Sequence, residues 1–318
     1  MTPLDSNGGP RSPGNMAATP PICDYEDSDY RTRFWEDQGR EYEDAAERIA
    51  IRRLLPPTGG LLMDLGAGFG RLADLYDGYR RVVLFDFSRS QLQYARSQLG
   101  DERFVYVAGD MYRLPFVAGL FDAVNQVRVI HHAADPAAVF AEVRRVVRPD
   151  GVFLLEFANK RNLKAIARYL LRRQAWSPFD LQPVEFVDLN FDLHPSWVRR
   201  ELTSAGFLPG QLLTVSHFRL GLLKRRVPTR WLVQADRLLQ FTGRLWQLTP
   251  SVFVCSRASA SGVVALTGTF FACPACQCPL PTPQALVEGS APANGELVCR
   301  PCGRTWPISA GVYDFKGV

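Results

Sequence analysis

Two residue patterns in this chain could do chemistry. The first is Gly66-x-Gly68-x-Gly70, with Asp64 two residues ahead of it. Glycine has no Cβ, so such a loop admits close approach of a ligand to the backbone and allows φ to turn positive. The spacing differs from the G-x-G-x-x-G that seats a pyrophosphate on a helix N-terminus, and it suits a ligand with no phosphate at that point. A turn of this kind also forms merely to let a strand pass under a helix. The second pattern is a pair of knuckles, Cys273-Pro-Ala-Cys276 and Cys299-Arg-Pro-Cys302, with twenty-two residues between them. Two thiolates at that spacing can face one metal ion, and two such pairs complete a closed tetrahedral site, hence a structural one. The other uses of C-x-x-C are redox chemistry and disulfides, which two paired motifs in a chain headed by no secretion pattern argue against. Cys278 is a spare thiol beside the first knuckle, and Cys23 and Cys255 fit no pattern: a tail thiol and a small buried hydrophobe.

The elements that must position the glycine loop are readable around it. Leu61 to Leu65 is a short apolar run that reads as a buried parallel strand, with the glycines at its carboxyl end. Arg81 to Asp86 is a second strand ending in an acid twenty residues after Gly66. A doubly wound fold puts a carboxylate there to accept hydrogen bonds from ribose hydroxyls. Phe104 to Ala108 is a third and runs into Gly109-Asp110-Met111; Phe121 to Val127 is a fourth; Val152 to Phe157 is a fifth. Strands alternating with helices mean a parallel sheet covered on both faces, so residues at the strand ends converge in space.

With those residues in place the chain resembles the class I S-adenosylmethionine-dependent methyltransferases, in the broad subgroup of methyltransferase type 11 that includes the quinone-biosynthesis enzymes. The matching residues are Asp64 to Gly70, Asp86-Phe87-Ser88, Gly109-Asp110 with Leu114-Pro115-Phe116, Phe121-Asp122 and Arg148-Pro149-Asp150-Gly151. The resemblance implies an α/β fold: a doubly wound, Rossmann-like, seven-stranded and mostly parallel sheet whose last strand is antiparallel. It implies that Gly66, Ala67, Gly68 and Gly70 pack on the methionine part of the cofactor, that Asp86 with Phe87 holds the ribose, and that Asp110 and Met111 meet the adenine. Gln126 and Val127 would lie beside the sulfonium, and Asp64 within reach of the cofactor's amino group; capping of the neighbouring turn is the other reading of Asp64. His131 and His132 are candidates for a general base, His132 first, and either could instead be a core or capping residue. Asn125 stands near the Asn-Pro-Pro-Tyr position of amino-group methyltransferases without the prolines, which argues against that subgroup. Arg304 to Val312 is similar to the end of the small zinc-binding activator proteins that pair with RNA and protein methyltransferases, which implies a carboxyl-terminal zinc ribbon held by Cys273, Cys276, Cys299 and Cys302.

The 318 residues, 47% of them hydrophobic, suffice for one large core and a smaller module, and no apolar run approaches the length of a membrane span. The expected organisation is a floppy tail over 1–22, a methyltransferase domain over 23–258, a linker over 259–270 and the zinc ribbon over 271–318. A leading helix from about Gly39 to Leu55 would lie over the cofactor, with Trp35, Arg40 and Tyr42 as its covering side chains. Two segments exceed the minimal fold, about 158–193 and 218–250, and are read as a substrate cap. In the first, Lys160, Lys164, Arg168 and Arg172 recur every fourth residue beside an apolar face of Leu163, Ile166, Ala167, Leu170 and Leu171. The stripe is a solvated face, or it meets an anionic membrane surface, a phosphorylated substrate or RNA. The favoured function is methyl transfer to a small molecule (lipid, quinone, sugar or secondary metabolite). RNA methylation and a non-catalytic binding protein, with a protein partner for the ribbon, are the alternatives. A cytoplasmic location, peripheral to a membrane through residues 160–173, is the matching expectation.

Overall fold

The computed structural model describes Pro21, Glu26 and residues 39–187, 189–283 and 292–317. Cys23, Trp35 and the expected tail apart from Pro21 lie outside the described residues. Seven strands form the sheet that the sequence implies: β1 (Gly59–Leu65), β2 (Tyr79–Asp86), β3 (Phe104–Ala108), β4 (Phe121–Gln126), β5 (Val147–Ala158), β8 (Phe207–Val215) and β9 (Ser251–Ala258). Their spatial order is β3-β2-β1-β4-β5-β9-β8, and β9 runs antiparallel to both neighbours. The direction of winding reverses between β1 and β4, the place where open α/β sheets bind ligands at their carboxyl ends. β1 is buried on both faces because alternate residues feed two separate cores: Met63 joins one cluster and Leu62 the other.

Helices cover both faces. On one lie α1 (Glu41–Leu54), α2 (Arg89–Leu99) and α7 (Thr229–Leu239); on the other lie α3 (Pro136–Val146) and α5 (Pro195–Ser204). Their ends carry the caps that fix them. Ser88, Asp135 and His194 accept from backbone N–H groups in the first turns of α2, α3 and α5. The first additional segment supplies α4 (Leu163–Leu170) and the hairpin β6 (Val184–Val187) and β7 (Asn190–Asp192); the second supplies α6 (Gly221–Arg226), α7 and a 3-10 turn over Gln240–Arg244.

Three findings differ from expectation. The basic helix is shorter than 160–173: Asn162 caps it by accepting from the Ala165 N–H, and Lys160 falls before the cap. Lys160 is buried, its Nζ donating to the Gln182 carbonyl at 2.5 Å, so the stripe loses its first member. Tyr42 does not reach over the cofactor loop. Its hydroxyl donates to Asp236 at 2.6 Å and accepts from the Phe218 N–H, which ties α1 to α7.

The third difference is at the carboxyl end. Strands β10 (Asn294–Val298), β11 (Thr305–Ser309) and β12 (Val312–Asp314) form a meander, and β12 pairs in parallel with β3 through Val312–Tyr106, Tyr313–Val107 and Asp314–Ala108. The expected linker is laid along the loop after β3: Val117 N–H donates to the Phe270 carbonyl and Ala272 N–H to the Pro115 carbonyl. Phe271 packs on Phe116, Tyr313 and Phe315. The two regions expected as separate units therefore share one sheet and one apolar core, because four buried aromatic rings at the junction remove more apolar surface from water than a flexible tether would.

Candidate functional site

β1 ends at Leu65 and turns sharply at Gly66, whose φ is +81°. A Cβ on Gly66 would stand 2.1 Å from Cγ2 of Val129, so both the conformation and the space demand glycine. A Cβ on Gly68 would meet nothing within 4 Å: the space beside it is open. Gly70 has a different task, since a Cβ there would collide with Leu99 of α2. It lets the helix pack and is not itself at the cleft. The cleft is lined by Asp64, Gly66, Ala67, Gly68, Phe69, Arg71, Leu72, Val127 and Arg128.

The Asp86 carboxylate, at the end of β2, accepts from the Gly68 N–H at 2.7 Å and from the Ser88 N–H at 2.9 Å. It thus ties the second strand's end to the glycine loop. Burial pushes its pKa up while these backbone donors hold it down. Asp110, one strand further on, accepts from the Tyr112 N–H at 2.8 Å and is also shifted upward by burial. Beside Asp86, the Phe87 ring carries the Lys316 ammonium 5.3 Å from its centroid. Met111 is buried in the core under the loop after β3. Asp64 is buried and is pushed up to about 6, burial outweighing the hydrogen bonds from Asn125 and Tyr76 and the nearby Arg71 charge. The Asn125 Nδ2 donates to it at 3.1 Å, and the Asn125 Oδ1 has no hydrogen-bond partner among the described residues.

The sequence reading missed Arg71 and Arg128. Both line the cleft and both grip Glu47 of α1, a side chain with no exposure: Arg71 at 3.0 Å, Arg128 through Nε at 2.8 Å and through Nη2. Arg71 also pairs with Asp44, so two guanidinium groups held by α1 carboxylates border the cleft. Arg71 directly follows Gly70 and Arg128 follows Val127, so position was the available signal. Arg128 sits at φ +61°, a strained placement that its bonds to Glu47 maintain.

β4 ends at Gln126, which is fully buried with neither amide atom hydrogen-bonded, while Val127 lines the cleft. The next turn brings His131 and His132 together with ring centroids 4.0 Å apart. Burial, with the adjoining His132 ring and the Arg128 and Arg219 charges, keeps the His131 pKa far below its ordinary value, so its ring is neutral. The His132 Nδ1 lies 3.1 Å from the Leu189 carbonyl, which requires the proton on Nδ1 and makes Nε2 the acceptor. Burial lowers the His132 pKa as well.

The four knuckle cysteines converge independently of this cleft. Their Sγ atoms all lie within 4.8 Å of one another, with Cys273–Cys302 at 3.7 Å and Cys276–Cys299 at 3.5 Å. Sulfurs at about 2.3 Å from a tetrahedral zinc are separated by about 3.8 Å, so the set fits such an ion and leaves no open position. Cys278 is outside the set: its carbonyl accepts from the Cys273 N–H, shaping the knuckle.

Comparison with known proteins agrees with this geometry. Residues 63–155 match the family model described as a methyltransferase domain. The chain is similar to a demethylmenaquinone methyltransferase of Roseiflexus sp. (34% identical over 130 residues, 39% of this chain and 53% of that protein). It is also similar to a malonyl-[acyl-carrier protein] O-methyltransferase of Legionella pneumophila (30% over 151 residues, 45% and 50%). An uncharacterised chloroplastic methyltransferase of Arabidopsis thaliana matches at 33% over 116 residues, 33% of each chain. The chain thus spans a third to about half of the length of these relatives. Among solved structures, a chain from the complex between the Haloferax volcanii Trm112 methyltransferase activator and a methyltransferase shares the fold, with a TM-score of 0.51 at 19% identity over 73% of this chain and 95% of that one.

Proposed function

We propose that this chain, whose residues 63–155 match a methyltransferase domain, moves a methyl group from S-adenosylmethionine to a small-molecule acceptor. The observation that carries the reading is the junction of Asp86 with the Gly68 N–H beside Asp64: three strand ends meet at one open cleft at the winding reversal. The cofactor supplies a methyl already activated by its sulfonium, so the chain's own work is positioning. Arg71 and Arg128 would hold a carboxylate, Asp64 an ammonium, Asp86 the ribose hydroxyls and Asp110 with Met111 the adenine edge. The His132 Nε2 can take a proton from an acceptor hydroxyl or carbon acid. Relatives named for a quinone and for an acyl-carrier-borne acyl group support a small acceptor carried on a lipophilic or acyl chain.

A structural zinc on Cys273, Cys276, Cys299 and Cys302 belongs to the same proposal. The docking of β12 on β3 supports reading the module's partner as the chain's own sheet. The test is transfer of labelled methyl from S-adenosylmethionine into fractionated extract. Label in lipid or small polar pools is expected; label in RNA replaces the acceptor class, and no binding of S-adenosylmethionine overturns the proposal.

A further inference from the structure

The additional segments leave an amphipathic surface uncovered beyond the carboxyl end of β5. Helix α4 follows the carboxyl end of β5, and Ala165 is its one buried residue. The apolar face that should have packed inward stands in the open: Leu163 is 63% exposed, Leu170 70% and the adjoining Leu171 64%. These leucines are spaced at i, i+7 and i+8 and so share one helix face. Lys164, Arg168 and Arg172 flank it, all exposed. No Asp or Glu occurs in sequence between Glu156 and Asp180; in space Asp192 of β7 lies close enough to offset part of the Arg168 charge.

The surface extends to both sides of α4. The Leu163 N–H donates to the Leu248 carbonyl at 2.8 Å, which brings the 3-10 turn and its following loop alongside, with Leu245 at 77% exposure and Trp246 at 54%. On the other side Tyr169 meets Phe179 edge-on at 6.2 Å. A hollow of about 460 Å³ opens there between Arg168, Arg173, Trp176, Phe186 and the acid Asp192.

We propose that this face docks on an anionic lipid bilayer. A water-facing helix has no reason to line up leucines, and a wholly apolar partner has no use for the Lys and Arg side chains around them, which Asp192 offsets only in part. A bilayer interface satisfies both: acyl chains take the leucines and Trp246, and anionic headgroups take the Lys and Arg side chains. RNA would meet the charges and leave the leucines in water. No helix among the described residues is long and apolar enough to cross a membrane, so the docking is peripheral. Because α4 follows the carboxyl end of β5, the face lies on the same edge of the sheet as the cleft, and a membrane-borne acceptor would approach the cleft from the docked side. That last step rests on the function proposed above; the docking does not.

The experiment is sedimentation of the full chain with phosphatidylcholine vesicles, with and without one third phosphatidylglycerol, alongside calorimetric titration with S-adenosylmethionine. Binding to anionic vesicles only is expected. K164E/R168E should weaken it by about 30-fold or more, corresponding to about 1 kcal/mol for each cation lost. L170S/L171S should weaken it while retaining its charge dependence, and both variants should keep the parent's cofactor affinity and circular dichroism. Absence of sedimentation, equal binding to neutral vesicles, or insensitivity to both double variants overturns the proposal. Salt-sensitive binding to RNA without vesicle binding overturns it in favour of a nucleic-acid surface. Vesicle binding without cofactor binding would uphold the docking and refute the methyl-transfer reading.

Discussion

Asp64 gives the cleft a testable pH signature. Its carboxyl is fully buried and pushed up to about 6, against 3.8 for the exposed group, because burial outweighs the hydrogen bonds from Asn125 and Tyr76. A rise of about two units corresponds to about 3 kcal/mol between the two protonation states. The sign follows from proton counting. Below pH 3.8 both folded and unfolded chains hold the proton, and Asp64 contributes no pH dependence. Between 3.8 and about 6 the unfolded chain releases it and the folded chain keeps it, so stability falls by about 1.4 kcal/mol per unit and then levels off. Urea unfolding of the parent from pH 4 to 7.5 should contain this loss, and Asp64→Asn should lack it. The variant is isosteric, and the new amide can donate to the unpartnered Asn125 Oδ1, so it should be the more stable chain above pH 6 by up to about 3 kcal/mol. Cofactor affinity should run the opposite way. An ammonium favours the ionised carboxylate, so calorimetric affinity of the parent should rise up to tenfold per pH unit between pH 5 and 6 and flatten above. Asp64→Asn should be flat throughout and weaker at pH 7.5 by about 1.5–3 kcal/mol. Parallel stability curves for parent and variant, or a parent affinity indifferent to pH over that range, would refute the argument.

Three other outcomes are expected. Asp86→Ala removes the acceptor for two backbone N–H groups and, on the proposed function, for the ribose; calorimetry should show cofactor binding weakened by about 1–3 kcal/mol. Glu47→Gln removes the buried countercharge of Arg128 and leaves Arg71 with Asp44 alone, and denaturant unfolding should show a loss of about 3–5 kcal/mol. Zinc analysis should give one ion per chain, and its removal by a chelator should release β12 from β3, read as new amide exchange at Tyr106 and Val107 and as weaker cofactor binding, since Phe315 N–H donates to the Ala108 carbonyl just before Gly109.

The parts of the site that were legible in the sequence are those set by strand ends. Gly66, Asp86 and Asp110 each follow a buried apolar run directly, so their place at the carboxyl edge comes with the strand. The four cysteines were legible because tetrahedral thiolate geometry dictates their spacing. What stayed hidden depends on side chains that meet across long separations. The grip of Glu47 on Arg71 and Arg128 joins α1 to two loops, and nothing local marks a buried glutamate as such. The exposed leucines of α4 carry the same periodicity as a packed face; periodicity shows that a face exists and not what covers it. β12 was invisible for a plainer reason: it has three residues, and its partner lies about two hundred positions earlier.

That short strand has a consequence for solubility. Phe104 to Ala108 are buried on every side, and without β12 the sheet would end in an apolar strand with a full row of unpaired N–H and carbonyl groups, a template for aggregation. With β12 in place the outermost strand is β10, whose Asn294, Gly295 and Glu296 are exposed and poor at recruiting another chain. The opposite edge, β8, is blunted in its own way by Pro209 and the irregular pairing between Pro209 and Leu212. A chain cut after Ala258 would keep the cleft residues and lose its guard, and it should collect in the insoluble fraction.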